Sequence, residues 1–280
     1  RVAFRNAGRC IFEINRKGAA GMNIKISTRF FRVWQRNLTV YRESWKINFL
    51  PPLLEPLFYL LAFGIGFSGM IESVRYAGRE VSYVQFIAPS LVAINIMNNS
   101  FFENTFGSFV RMYYQKTFDA MMATPLNVEE IVTGEIVWGA TKSVIGTVIM
   151  LIVISFFGLV SFPMVLLIVF AAFIGGIAFG AVAMVFTGMV ARIELFNLPI
   201  FLFITPMFLF SGTFFPITGL PVWAQYFALM LPLTHLVNLV RALSLGMLNM
   251  EALIGFCYLI VFCLVMFPLA IFKMRKRLIK

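Results

Sequence analysis

Residues 206–241 restrict the possible folds of this chain more than any other segment. The segment is apolar enough to enter a bilayer, yet four helix-breaking residues interrupt it: Pro216, Gly219, Pro221 and Pro232. An uninterrupted spanning helix does not tolerate so many breakers. Non-helical backbone at membrane depth is allowed only where protein or a water-filled cavity covers its polar groups. The segment therefore predicts a membrane assembly with a covered, shaped interior.

The composition agrees with a membrane protein. Of the 280 residues, 60% are hydrophobic and 12% are charged, and the mean hydropathy is +0.89. Runs of about 20 apolar residues, the length that spans a bilayer core, recur along the chain. The six predicted spans are residues 49–67, 84–106, 131–157, 165–189, 198–215 and 252–272. The predicted fold class is therefore all-α integral membrane, with six transmembrane helices.

The placement of Lys and Arg predicts the orientation. Residues 1–46 hold eleven of them and residues 273–280 hold five, out of 23 in the chain. Segments rich in Lys and Arg stay on the cytoplasmic side. We therefore expect both termini to be cytoplasmic. The net charge of +11 is juxtamembrane, which favours contact with anionic lipid over nucleic acid.

The chain divides into three predicted regions. Residues 1–25 form a basic tail, residues 26–46 a cytoplasmic interface helix, and residues 47–280 the six-helix domain. Residues 1–21 lack helical periodicity, and we expect synthesis of the natural protein to begin at Met22. An intact-mass measurement on natively expressed protein tests this expectation.

The predicted interface helix is amphipathic. Its apolar residues recur at spacings of four, four, three and four, and arginines line another face. The apolar residues are Phe30, Trp34, Leu38, Tyr41 and Trp45, and the arginines are Arg29, Arg32 and Arg36. A basic helix with a Trp-rich face lies in the headgroup plane. Two roles stay open: a lipid anchor only, or also part of a docking surface for a cytoplasmic partner.

The inner loop between the second and third predicted spans contains aromatic, methionine and charged residues. We expect a short amphipathic helix that ends at Thr124, because the residue before Pro125 disfavours helix. Asn127 and Glu130 then match a capping box that begins the third span. The short helix either rests on lipid or transmits movement to the spans.

Polar residues line one side of the second predicted span. Asn95, Asn98 and Asn99 occupy positions i, i+3 and i+4, and Glu103 follows one turn later. Lipid offers no partners to such groups, so they face other helices or a pathway. Both roles stay open: hydrogen bonds between helices, or the lining of a transport route. Glu55, in the first span, is interpreted as structural.

No catalytic motif emerges. The chain has no G-x-x-x-x-G-K-[ST] motif, no HExxH and no Ser/His/Asp set supported by spacing. With three cysteines and one histidine, a dedicated metal site is not expected. We therefore expect a chain that is not an enzyme and that carries no cofactor or metal of its own.

Two segments resemble a known family. Pro232-Leu233-Thr234-His235 with Arg241, and the upstream segment 211–216, resemble the signature of ABC-2 type exporter permeases. Residues 134–142 resemble the branch that contains the nodulation lipo-oligosaccharide and polysaccharide exporters. The resemblance covers about residues 26–280.

The resemblance implies a dimer of six-helix units in a bacterial inner (plasma) membrane, each paired with a separate cytoplasmic ABC ATPase that binds ATP and Mg. Segment 111–124 would be the coupling helix, and segment 213–241 a pair of re-entrant helices before the last span. The implied coupling residues are Arg111, Tyr113, Tyr114, Lys116, Phe118, Asp119 and Met121. The implied re-entrant residues are Gly212, Pro216, Pro232, His235 and Arg241, the last two positioning the element.

The predicted function is that of the permease subunit of an ABC exporter, which moves a glycan, lipo-oligosaccharide, lipid or amphiphilic drug outward. A membrane-embedded lipid or glycan transferase is one alternative, although acidic or metal-binding residues at the membrane face are scarce. A structural subunit of a membrane complex is another. Such a subunit would tolerate loss of the polar face of the second span.

Overall fold

The computed structural model describes residues 27–66, 73–76, 78–160 and 164–279, so the predicted basic tail, with Met22, lies outside the described residues. The described chain is mostly helical. Its helices are α1 Phe30–Glu43, α2 Trp45–Gly66, α3 Tyr83–Phe102, α4 Thr117–Met122, α5 Val128–Phe156, α6 Val165–Met189, α7 Ile193–Phe210, α8 Val222–Met230, α9 Pro232–Ser244 and α10 Met250–Leu278. Its strands are β1 Ser73–Tyr76 and β2 Arg79–Ser82.

Four described helices, α5, α6, α7 and α10, are long and apolar enough to cross a membrane. The pair α8 and α9 adds a fifth candidate, bent by 86° at the break between them. Helices α2 and α3 have 22 and 20 residues and occupy the first two predicted spans. A helical membrane protein with four to five candidate spans is thus confirmed, while the number six stays a prediction.

The all-α prediction missed a short β-hairpin between α2 and α3. Strands β1 and β2 pair antiparallel, with Val74 opposite Val81. The turn between them includes Gly78, whose φ of +79° suits glycine because it lacks a Cβ atom. Strand β2 runs directly into α3 through a capping box. There the backbone N–H of Gln85 donates to Ser82 Oγ, and the backbone N–H of Ser82 donates to Gln85 Oε1.

Helix α6 lies at the centre of the described helices and packs against α3, α5 and α10. Small residues permit this close approach. A Cβ atom added at Gly176 would lie 2.7 Å from Ala140 Cα, and one at Gly180 would lie 2.7 Å from Ser100 Oγ. Tight van der Waals packing of this kind holds helices together inside a bilayer.

The outer faces of several helices are apolar. Leu202 on α7 and Leu264 on α10 are among the large apolar side chains that point away from the protein. Few residues of α7 and α10 are buried, whereas α5 and α6 are mostly buried. Faces of this composition suit lipid tails or another apolar protein surface.

Candidate functional site

The connection between α3 and α5 holds the segment predicted to couple to a partner. Helix α3 continues through two π-helical stretches, Glu103–Gly107 and Val110–Tyr114. The chain then reverses at Lys116, whose φ of 54° is left-handed, and forms the six-residue helix α4. Thr124 and Pro125 lie in the turn that follows, so the predicted helix end is confirmed.

The predicted coupling residues divide into two groups. Four side chains are exposed: Tyr113, Tyr114, Lys116 and Asp119. The ammonium of Lys116 lies 5.2 Å from the centroid of the Tyr113 ring, within cation–π range. The remaining residues Arg111, Phe118 and Met121 are partly or fully buried, and Phe118 is fully buried in the protein. The exposed group forms an aromatic and charged surface, which we call the coupling face.

Arg111 joins the base of the coupling face to a buried charged cluster. Its Nη1 lies 2.7 Å from Glu103 Oε1, and its Nη2 lies 2.6 Å from Glu135 Oε2. Lys142 Nζ lies 2.8 Å from Glu103 Oε2. Trp138 Nε1 donates to the other carboxylate oxygen, Glu103 Oε1. Two acids and two bases therefore neutralise each other. Low exposure makes such pairs costly to break, because a lone charge would be left in a dry site.

Helix α1 is bonded to the same cluster. Asn37 Nδ2 donates to Glu135 Oε1 at 2.9 Å, and Trp34 Nε1 donates to Thr141 Oγ1 at 2.9 Å. Burial lowers the pKa of Arg36, with the nearby Glu135 carboxylate acting in the opposite direction. One face of the predicted interface helix therefore packs against α5, and its role extends beyond contact with lipid.

The start of α5 adds a further tie to the chain before α1. Ser27 Oγ donates to Glu130 Oε1 at 2.5 Å, and the backbone N–H of Asn127 donates to Glu130 Oε2 at 3.0 Å. The capping box predicted at this point is confirmed. Glu130 therefore holds both the first turn of α5 and the residue Ser27, which precedes α1.

The asparagines of α3 lie beside α5. Asn99 Nδ2 donates to Asn95 Oδ1 at 2.9 Å, and a Cβ atom added at Gly146 of α5 would lie 2.8 Å from that oxygen. Asn98 is half-buried. The asparagines therefore face another helix, while both proposed roles, hydrogen bonding between helices and the lining of a pathway, stay predictions.

The segment rich in Pro and Gly forms a sharp bend after α7. Gly212 has a φ of +69°, and the 3₁₀ turn Ile217–Gly219 follows Pro216. Helix α8 then ends at Met230, and α9 starts at Pro232, which occupies the first turn where its missing N–H costs nothing. The predicted interruption of helix in this segment is confirmed, although its depth in a membrane stays a prediction.

Arg241 and His235 each cross-link this bend. Arg241 Nε donates to the Phe86 carbonyl at 3.1 Å, and its Nη2 donates to the Gly212 carbonyl at 2.9 Å and to Ser90 Oγ. His235 Nε2 donates to the Leu229 carbonyl at 2.9 Å, across the break between α8 and α9. Both residues therefore fasten the bent pair to its surroundings, which is compatible with the positioning role expected for them.

A cavity of about 520 Å³ opens beside the bend. One wall is the face of α9 that carries His235, Asn238 and Arg241, spaced by three residues. Tyr76 of β1 and Phe86 of α3 form part of the opposite wall. Burial raises the pKa of the Tyr76 hydroxyl, although Arg241 acts to lower it, so the phenol keeps its proton at neutral pH.

Several residues of the charged cluster and of the contacts to Arg241 were not predicted from the sequence as members of a site. Glu135, Trp138 and Lys142 lie within the third predicted span, and Ser90 lies within the second. The available signal was that charged residues inside a span seldom face lipid. Among the residues that the structure describes, no group of three or more His, Cys, Asp or Glu is placed to hold a metal ion.

A helical protein with four to five candidate membrane spans and a sharply bent helix pair has the form of a membrane permease. Residues 28–245 match the family model of the ABC-2 type transporter, which is more than half of the chain. This chain therefore belongs to the ABC-2 type transporter family and is the transmembrane subunit of an ABC exporter.

Curated relatives agree with this assignment. The chain is 31% identical over 262 residues to nodulation protein J of Rhizobium leguminosarum bv. viciae, covering 94% of this chain and 97% of that protein. It is 32% identical over 248 residues to nodulation protein J of Bradyrhizobium diazoefficiens, covering 89% and 93%. It is 22% identical over 238 residues to the inner membrane transport permease YadH of Escherichia coli, covering 82% and 88%.

Proposed function

We propose that this chain is moved by a separate cytoplasmic ABC ATPase that binds the coupling face and carries the ATP and Mg. The exposed residues Tyr113, Tyr114, Lys116 and Asp119 supply aromatic contact area and charges of both signs. Such a surface suits a protein groove, because aromatic side chains give large contact area at low entropic cost. In this arrangement both chain termini are cytoplasmic.

The single observation that supports this proposal most is the bond of Arg111 to two carboxylates on different helices. Glu103 follows α3, and Glu135 belongs to α5, to which Asn37 of α1 is also bonded. Force applied at the coupling face therefore reaches three helices through charge-assisted hydrogen bonds. Arg111 and the buried Phe118 would support the docking surface from behind, while the exposed residues would touch the ATPase.

We further propose six spans per chain and a dimer in the bacterial inner membrane, with substrate leaving between the two copies. Helices α2 and α3 supply the two spans beyond the four that pass on length and apolarity, and the bent pair α8 and α9 would re-enter without crossing. The exposed apolar faces of α7 and α10 are available to lipid or to the second copy. The polar row of Asn95, Asn98 and Asn99 would lie near the path.

We infer that the substrate is an amphiphile built on a glycan, with a lipo-oligosaccharide favoured over a simple lipid or drug. The relatives named nodulation protein J support this inference, because they match nearly the whole chain. The relative named an inner membrane transport permease supports a role in transport more generally. ATP-driven uptake of a labelled lipo-oligosaccharide, a phospholipid and a cationic drug into inverted vesicles, where the cytoplasmic face points outward, would separate these classes.

The docking proposal is tested by reconstitution with a purified ABC ATPase encoded beside this chain. We expect the wild-type pair to co-purify and to hydrolyse ATP faster when substrate is added. Replacing Tyr113 by Ala, or Asp119 by Arg, should lower ATPase binding about tenfold or more, as expected for central interface residues. Tyr226→Ala is the matched control, because Tyr226 is also an exposed tyrosine but lies on α8, outside the coupling face.

Two outcomes would contradict the proposal. In the first, Tyr113→Ala and Tyr226→Ala bind the ATPase with the same affinity as the wild type. In the second, the purified chain alone drives directional transport in vesicles that contain no companion protein. The first result would mean that the ATPase docks on another surface. The second would mean that the energy source is not a separate ATPase.

A further inference from the structure

The cavity beside the bend holds separated charges of opposite sign. Arg241, which is 2% exposed, lies at its inner wall, and Glu251, exposed in the first turn of α10, lies at its rim. These two residues do not form an ion pair, since within the described part of the chain no carboxylate oxygen lies within 4.0 Å of the Arg241 guanidinium. A buried cation without a counter-ion is costly unless a ligand or dipoles compensate it.

Only some of the hydrogen-bond donors of the Arg241 guanidinium bond to the described protein groups. Its Nε and Nη2 bond two carbonyls and a hydroxyl, whereas Nη1 makes no hydrogen bond with the described residues. Two aromatic rings lie beside the group: its Cζ is 3.8 Å from the centroid of the Phe86 ring and 5.3 Å from that of Tyr76. The free edge is therefore where an anion could bind, in the geometry that arginine offers to phosphate oxygens.

The rest of the lining suits the body of a polar headgroup. Asn238 lies on the same face of α9, between His235 and Arg241, and Gln225 and Asn249 supply further amide groups. Leu229 and Ile254 add apolar surface on which hydrocarbon can rest. A volume of about 520 Å³ falls within the range of small-molecule sites, which is roughly 300–1,000 Å³.

We propose that this cavity binds the zwitterionic headgroup of an amphiphile, with a phosphate at Arg241 and a primary ammonium at Glu251. A purely anionic headgroup would pair with Arg241 but would be repelled by Glu251. A neutral headgroup would supply a counter-ion to neither residue. A phosphoethanolamine group satisfies both at once. Binding at this site needs neither ATP nor a partner chain, so the proposal stands or fails independently of the ATPase and of transport.

The test is a titration of the purified chain in maltoside micelles, followed by native mass spectrometry. The probes are dihexanoyl phosphatidylethanolamine, dihexanoyl phosphatidylglycerol and free O-phosphoethanolamine. We expect the ethanolamine lipid to bind about tenfold more tightly than the glycerol lipid, because only the former pairs with Glu251. Comparable binding of free O-phosphoethanolamine would assign the site to a soluble ligand, and binding that needs acyl chains would assign it to a lipid headgroup.

Two substitutions locate the binding without removing Arg241, which also holds the fold. Glu251→Gln should bring the affinities of the two lipids to within about twofold of each other, since the ammonium loses its charged partner. Thr218→Trp, on the lining, should fill the cavity and weaken phosphatidylethanolamine about tenfold or more. The matched controls are Glu129→Gln, far from the cavity, and Val222→Trp, exposed and outside the lining.

Equal affinity of the wild-type chain for the two lipids would overturn the proposal. So would unchanged discrimination in Glu251→Gln, or an equal effect of Thr218→Trp and Val222→Trp. Each variant is first checked for the wild-type melting temperature. For a variant that fails this check, the decision falls to the comparison of the two lipids on the wild-type chain.

Discussion

Arg111 Nη2 and Glu135 Oε2 are 2.6 Å apart, the shortest ion pair among the described residues. Glu135 is fully buried, and Asn37 and Ser108 donate to it as well. The carboxylate therefore accepts hydrogen bonds from α1, from the extension of α3 and from Arg111. A single group on α5 holds together the elements on which the proposed docking depends.

Glu135→Gln should destabilise the fold, because Arg111 keeps its charge in a site that loses an anionic partner. We expect the free energy of unfolding to fall by about 2–4 kcal/mol, somewhat less than full removal of a buried partner. Denaturation in mixed micelles measures this quantity. Glu129→Gln is the control: its oxygen is 3.4 Å from Arg275, and we expect a change below about 1 kcal/mol. Equal effects of the two variants would contradict the importance of the buried pair.

Trp34→Phe should loosen α1 from α5. The substitution keeps an aromatic ring but removes the donor to Thr141 Oγ1, so we expect a loss of about 0.5–1.5 kcal/mol. Hydrogen exchange of the α1 amides should become faster. Trp45→Phe is the control, since Trp45 is 53% exposed. If both substitutions left the exchange of α1 unchanged, the bond to Thr141 would not hold the helix.

Gly176→Ala should disturb the contact between α6 and α5. The added methyl group would lie 2.7 Å from Ala140 Cα, which is backbone and cannot rotate away. We expect a loss of about 1–3 kcal/mol, as for other overpacked interiors. The melting temperature in detergent measures the effect. At Gly219 no atom lies within 4 Å of an added Cβ, so Gly219→Ala should leave that temperature nearly unchanged. A stable Gly176→Ala protein would show that the helices can separate cheaply.

Gly212→Ala should distort the bend before α8. A Cβ atom there would lie 2.6 Å from Ile217 Cγ1, and the φ of +69° costs a non-glycine residue about 1–2 kcal/mol. Because the Gly212 carbonyl accepts from Arg241, the distortion should also weaken that bond. Faster proteolysis within segment 211–220 would report it. Wild-type resistance to protease would mean that the bend does not depend on glycine.

Local patterns in the sequence predicted features that depend on neighbouring residues. The capping box of Asn127 and Glu130, the bounds 165–189 of α6 and the break at Pro232 all follow from adjacent residues. The β-hairpin was not predicted, because each strand has four residues and alternation over so short a run is a weak signal beside apolar runs long enough to span a membrane.

Long-range pairing was less accessible from the sequence. Arg111 was predicted to face an ATPase, yet its partner Glu135 is 24 positions away in the chain and lies inside a predicted span. Spacing along one helix cannot indicate which residue of another helix a long side chain will reach. The charged cluster and the carbonyls around Arg241 join residues of different helices, so they follow from the packing of the helices and not from the sequence of any one of them.

Helix α3 contacts both the Arg241 site, near its start, and the charged cluster around Arg111, just past its end. Near its start, the Phe86 carbonyl and the Ser90 hydroxyl hold Arg241, and just past its end Glu103 holds Arg111 and Lys142. Glu103 lies seventeen positions after Phe86, which at a rise of 1.5 Å per residue is roughly 25 Å. We propose that this one helix transmits motion from the proposed docking surface for the ATPase to the bent pair α8 and α9, so that the two sites are coupled within a single continuous element.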